Sequence, residues 1–202
     1  MNLLLLERKL LFILVQHATI KRKQMKIIKN LSMCVAFMND GIISKKIDGM
    51  LPWENKEDMA RLLTYCKGKQ VLVGAKTFNL LKETTLLRNA DTVNVYCSRP
   101  EAIDRLYGHY KMANVSYKEK ESLLEFIKSI MAFNPLPLVV LGGKSIFEEA
   151  LAYCEKVFVT EINGDQMGGE DYDDYVRLDV LNMIYDLGGI ESIFTEIRRC
   201  TR

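Results

Sequence analysis

An aspartate, two glycine turns and a serine-arginine pair are the residues of this chain whose types and spacing could do chemistry. Asp58 follows the only tryptophan, Trp53, by five positions in the stretch MLPWENKEDM at residues 50–59. Asn55, three positions before it, has the look of an N-cap, which puts Asp58 in the first turn of a helix. At about 100° per residue, Asp58 lies roughly 40° from Leu62, at the edge of the apolar stripe Met59, Leu62, Leu63 and Cys66. Its carboxylate can therefore face a dry cleft, where burial raises the pKa and suits the group to handling a proton near neutrality. An aspartate serving only the cap and the helix dipole fits the same residues equally well.

The glycines suggest an anionic ligand. Gly142-Gly143 ends the hydrophobic run PLVVL and precedes KSIFEEAL, a place where missing side chains let a phosphate approach backbone N–H groups at a helix start. GGKS is not a nucleoside-triphosphate loop, because that motif needs a glycine where Leu138 stands. Taken alone, strand-GG-helix is more often a tight turn. VGAKTF supplies a second instance, with Gly74 closing a strand and Lys76-Thr77 opening a helix. Two such places in register suggest a dinucleotide with more than one phosphate, although Lys76 also reads as a plain surface lysine. Ser98-Arg99 follows VNVYC and offers a hydroxyl and a guanidinium that can fork onto phosphate oxygens; a surface arginine before Pro100 is the alternative.

These residues need an α/β scaffold, and the rest of the chain reads as one. MCVAFM, QVLVG, VNVYC, NVSY, PLVVLGG and EKVFVTEI are strand-like, and helical spacing falls between them at 55–67, 76–82, 123–131 and 144–151. That alternation predicts a largely parallel sheet with ligands at the strand C-termini. The 202 residues, 49% hydrophobic and 27% charged, suit one domain with a sizeable core. A net charge of +2 with no basic stripe gives no case for nucleic acid. Five cysteines without a CxxC pair, and two histidines, argue against a disulfide framework, a metal site and a histidine-based triad, and for a reducing compartment. The apolar runs before residue 16 are split by Glu7-Arg8-Lys9, short of the ~20 residues that span a bilayer. Export is disfavoured, since positive charge follows the apolar run instead of preceding it.

MCVAFMNDGII, LPWENKED, VLVGAKTF, CSRP, VVLGGKSIFEEAL and KVFVTEI occur in an order and at spacings that resemble dihydrofolate reductase over about residues 31–200. The resemblance implies a single-domain three-layer fold, with a mixed, mostly parallel central sheet and about four flanking helices. It implies reduction of 7,8-dihydrofolate to tetrahydrofolate by NADPH, in a cytoplasmic protein expected to be a monomer, with a homodimer as the alternative and no membrane partner. Asp58 falls at the family's active-site carboxylate, Thr160 at the threonine that supports it, and Leu51 and Trp53 at the loop that closes over nicotinamide. Cys34, Val35 and Ala36 match the first strand, whose backbone meets pterin and nicotinamide. Gly74, Lys76, Thr77, Ser98 and Arg99, with Gly142, Gly143, Lys144, Ser145 and Ile146, match the cofactor side, Ser98-Arg99 suiting a 2′-phosphate. Leu141 and Phe147 flank the double glycine.

The chain also departs from the family. Leu62 replaces an aromatic that packs on the pterin, removing ring contact while keeping an apolar wall. Arg88 is the candidate for the substrate's α-carboxylate, in a segment with extra residues, and the active-site loop is about two residues longer than usual. After a strand such as SIFTEIRRC the family has a hairpin and a final antiparallel strand, for which no residues follow here. Residues 1–30 are an extension whose LLFILVQ segment either replaces that strand or frays, with Met25 or Met33 as an alternative start. Two other functions stay open: a riboflavin-pathway-type NADPH reductase, and a catalytically weak structural or binding subunit.

Overall fold

The computed structural model describes residues 27–38, 41–105, 112–163, 174–187 and 194–201. LLFILVQ and the rest of residues 1–26 lie outside them. Nine described strands form one sheet around β1 (Ile28–Met38). On one side of β1 lie β6 (Leu138–Gly142), β3 (Gln70–Gly74), β4 (Thr92–Cys97) and β5 (Met112–Tyr117), in that order. On the other side lie β7 (Cys154–Asn163) and then β9 (Phe194–Thr201). All these pairings are parallel. Only β2 (Ile42–Lys45), paired with the end of β1, and β8 (Tyr175–Arg177), paired with β2, run antiparallel.

The parallel strands are continuous apolar runs because both of their faces are covered. Alternate side chains divide between two cores. Val71, Val73, Val93, Val95, Val139 and Leu141 share one with α1 (Lys56–Cys66), α2 (Ala75–Leu81) and α3 (Thr85–Asn89). Leu31, Met33, Val35, Leu72, Leu138 and Val140 share the other with α4 (Leu123–Phe133), α5 (Lys144–Ala150) and α6 (Val180–Asp186). The result is the expected three-layer α/β fold with a mixed, mostly parallel sheet.

Six α-helices are described instead of about four. The additional ones, α3 and α6, span five and seven residues, and neither follows a strand-end glycine of the kind that marks the equally short α2 and α5. The last described strand, β9, lies parallel on β7 in unbroken register from Lys156↔Phe194 to Asn163↔Thr201. The first strand was expected as MCVAFM, from Met33, and β1 begins five residues earlier, at Ile28.

Candidate active site

Helix α1 starts where Asn55 caps it: the Asn55 Oδ1 accepts the Asp58 N–H at 2.8 Å. The cap therefore belongs to Asn55, and the Asp58 carboxylate is free for another partner. That partner is the Thr160 hydroxyl of β7, which donates to it. Burial raises the Asp58 pKa above the ordinary carboxylate value of 3.8, and the Thr160 hydrogen bond opposes the rise. Removing the hydroxyl in Thr160→Val leaves burial unopposed. The Asp58 carboxyl is then expected to titrate at higher pH, as read from its carboxyl NMR signal across a pH series; no shift, or a downward one, would contradict the pairing.

Asp58 and Thr160 open into a cleft of about 460 Å³ between α1 and the sheet. Cys34, Leu62 and Thr160, each expected at the site, line it together with Asp58. Tyr65, Phe158, Arg61 and Glu196 line it as well and were not anticipated. Tyr65 could have been found, because positions 58, 62 and 65 share one helical face. Phe158 was equally accessible, two residues before Thr160 on the same strand face. Glu196 has no local signal, since it reaches the cleft only through the pairing of β9 with Phe158 of β7. Arg61 ion-pairs with Glu57 one turn earlier and donates to the Cys200 Sγ of β9 at 3.5 Å, tying α1 to the last strand.

Other expected residues lie around this cleft. Val35 packs into the opposite core, so only its backbone is available to this side. Trp53 is 5% exposed and packs with Met38 and Ile162 at the C-terminal ends of β1 and β7, against Ala36 and Cys200. Leu51 is 45% exposed. Arg88 is exposed in α3, 3.7 Å from Glu83, and is not among the residues lining the cleft.

The glycines meet at the other half of the sheet. Val73 pairs with Gly142, so the ends of β3 and β6 are neighbours. A Cβ on Gly74 would stand 3.5 Å from the Gly143 nitrogen, and one on Gly143 would stand 3.4 Å from the Thr77 Oγ1. Two strand ends and the starts of α2 and α5 thus form a bare backbone surface. Gly142 has φ +107, and an added Cβ would lie 2.7 Å from the ring of Phe147. Ile146 and Phe147 are buried beneath this surface and Leu141 lies in the core on the opposite face, whereas Lys144 and Ser145 are exposed, Lys144 standing 3.7 Å from Glu148. Ser98 and Arg99 are exposed just past the end of β4, next to β3. Lys76 donates to the Lys46 carbonyl at 3.0 Å, which ties the start of α2 to the loop before α1.

A family model described as dihydrofolate reductase matches residues 30–176, well over half of the chain. The chain belongs to the dihydrofolate reductase family. It is 31% identical over 138 residues to a bifunctional dihydrofolate reductase-thymidylate synthase of Paramecium tetraurelia, covering 66% of this chain and 26% of that protein. It is 27% identical over 164 residues to a dihydrofolate reductase of Haemophilus influenzae, covering 75% of this chain and 91% of that one. The chain thus spans about a quarter of the first relative and most of the second.

Within this dihydrofolate reductase fold, burial also governs the cysteines. It pushes the thiols of Cys34 and Cys154 well up, and that of Cys66 up to about 12. All five cysteines are free thiols.

Proposed function

We propose that the chain reduces 7,8-dihydrofolate to 5,6,7,8-tetrahydrofolate with NADPH, as a cytoplasmic, monomeric enzyme feeding one-carbon and thymidylate metabolism. The observation that carries this reading is Asp58: a carboxylate with a raised pKa, hydrogen-bonded by Thr160, inside a largely apolar cleft. Such a group can accept two N–H donors from the amino and N3 edge of a pterin, and burial lets it keep a proton to higher pH than an ordinary carboxyl does. Leu62 and Cys34 wall the flat ring, and Trp53 and Leu51 bring the loop over the site to exclude water.

A nicotinamide cofactor, when bound, supplies the hydride. The residues present fit one: a side chain on Gly74 or Gly143 would fill the cradle between the two strand ends, with Thr77 beside it, and Gly142 makes the turn over the Phe147 ring. Ser98 and Arg99, beyond the end of β4, would hold the 2′-phosphate that distinguishes NADPH from NADH. Lys76, Lys144, Ser145 and Ile146 complete that side, and Ala36 of β1 lies between cradle and carboxylate. Arg88 is the proposed partner of the substrate's α-carboxylate, reached by turning away from Glu83. No helix among the described residues is long and apolar enough to cross a membrane.

The direct test follows NADPH oxidation spectrophotometrically with dihydrofolate present. Turnover that requires both supports the reading, and NADPH binding without turnover sinks it. In the same assay Arg99→Ala is expected to raise KM for NADPH about tenfold or more, the scale of one charge-assisted phosphate contact, while leaving KM for NADH nearly constant. An unchanged preference would remove Arg99 from the phosphate site.

A further inference from the structure

The turn between β2 and α1 closes on itself. The Lys45 N–H donates to the Met50 carbonyl at 2.8 Å and the Gly49 N–H to the Lys45 carbonyl at 3.0 Å, while the Asp48 carboxylate accepts the Met50 N–H at 2.7 Å. Residues 45–50 therefore behave as one body, and contacts from outside decide where that body lies. Apolar burial does little of this, since Ile47 is 91% exposed and Met50 and Leu51 are exposed as well. Two outside hydrogen bonds pass through Lys46. Its N–H donates to the Asp174 carbonyl at 2.8 Å, and its carbonyl accepts from the Lys76 Nζ at 3.0 Å.

Lys76 also meets the turn through its carbon chain. A Cβ on Gly49, where φ is +79, would stand 2.6 Å from the Lys76 Cε and 3.3 Å from the Leu80 Cδ1, so the turn lies down on the lysine stem at the one residue without a side chain. The same lysine stands two positions past Gly74 and next to Thr77, at the strand end that carries the glycine cradle. Leu51 and Trp53 follow the turn directly, and Trp53 is buried at the C-terminal ends of β1 and β7. Turn and cradle thus share one end of the sheet, with Lys76 between them. We infer that Lys76 is a positioning residue of the reductase: its ammonium pins the Lys46 carbonyl and its stem seats Gly49, fixing the turn, and the Leu51–Trp53 segment it leads into, beside the cofactor surface. Lys76 serves that surface through the loop and not as a phosphate ligand.

The inference rests on the proposed dihydrofolate reductase activity, and the experiment separates the two. Amide hydrogen exchange is followed by NMR in the protein without ligands, where no turnover is needed. Lys76→Met, which keeps the stem and removes the ammonium, is expected to speed exchange of the Lys46 amide about tenfold or more, the scale of one hydrogen bond to a charged group, while the Leu72 amide of β3 keeps its rate. Gly49→Ala is expected to do the same, because the end of the lysine swings aside to relieve the 2.6 Å contact and takes the ammonium with it. With NADPH and dihydrofolate, Lys76→Met is expected to lower kcat and kcat/KM for dihydrofolate by the same factor, about three- to tenfold, with the Kd for NADPH within about threefold. An unchanged Lys46 amide overturns the inference, and so does a faster one with kcat unchanged. A Kd for NADPH raised about tenfold with kcat retained overturns it too, since that pattern marks a phosphate ligand. Absence of turnover in the wild-type protein overturns the activity itself, and the exchange rates still decide whether Lys76 holds the turn.

Discussion

Asp58→Asn is expected to lower kcat for dihydrofolate reduction at neutral pH by about 10²–10⁴-fold, the range of a positioned acid-base group. The amide matches the carboxylate in shape and still accepts from Thr160, so the loss isolates proton handling from packing. Affinity for NADPH should barely move. Thr160 lies on β7 and the glycine cradle at the ends of β6 and β3, so two to three strand spacings, about 9–14 Å, separate the two. Turnover within a few-fold of wild type would refute the role.

The same substitution carries a stability prediction of opposite sign. Asp58 binds its proton more tightly in the folded protein than the ordinary value of 3.8 allows in the unfolded chain. The protonated form's contribution is fully present below that ordinary value and is lost as pH rises through the raised folded value. At pH 7 the ionised carboxylate therefore costs stability that an uncharged asparagine does not. Thermal unfolding at pH 7 should show Asp58→Asn at least as stable as wild type, with the difference vanishing in acid. A group that weakens the fold where it works is a usual mark of an active site.

Gly142→Ala has the second-largest expected effect, and it acts through sterics. The new methyl would meet the Phe147 ring at 2.7 Å, on a backbone at φ +107. Overpacking and left-handed strain together cost about 2–5 kcal/mol, or roughly 4–20 °C in Tm for a chain of this size. Phe147 can yield only by pushing into the core it shares with Leu72 and Val140, so NADPH binding should weaken alongside. Gly68→Ala is the control, because φ there is +67 but an added Cβ meets nothing within 4 Å. If Gly142→Ala melts within a degree of Gly68→Ala, the contact with Phe147 does not set the geometry of the cradle.

Much of this molecule is legible in its residue order. Apolar runs such as QVLVG and PLVVLGG, short and bounded by glycine or proline, read as strands covered on both sides, and the Asn55 cap follows from local spacing alone. What is not legible is set by pairings distant in sequence. Whether Asp58 caps its helix or faces the cleft depends on Thr160, about a hundred positions away on β7. Glu196 and Cys200 reach α1 only because β9 lies parallel on β7, a choice no local pattern encodes. Lys76 reads as a phosphate ligand from its place at a helix start, yet its ammonium is on the Lys46 carbonyl, a contact made by a loop whose path its own sequence leaves open. Tyr65 was within reach of helical periodicity, but an apolar stripe identifies a face without saying which of its members borders empty space.

The cysteines lead to a point about handling the protein. Only a thiolate attacks a disulfide, a peroxide or an alkylating reagent. With Cys66 pushed up to about 12 and Cys34 and Cys154 also raised by burial, the thiolate fraction of each at neutral pH is negligible. Cys34 borders the cleft, but it does so as a small hydrophobe and not as a nucleophile. An electrophilic warhead delivered to this cleft therefore finds a thiol in the right place and in the wrong protonation state.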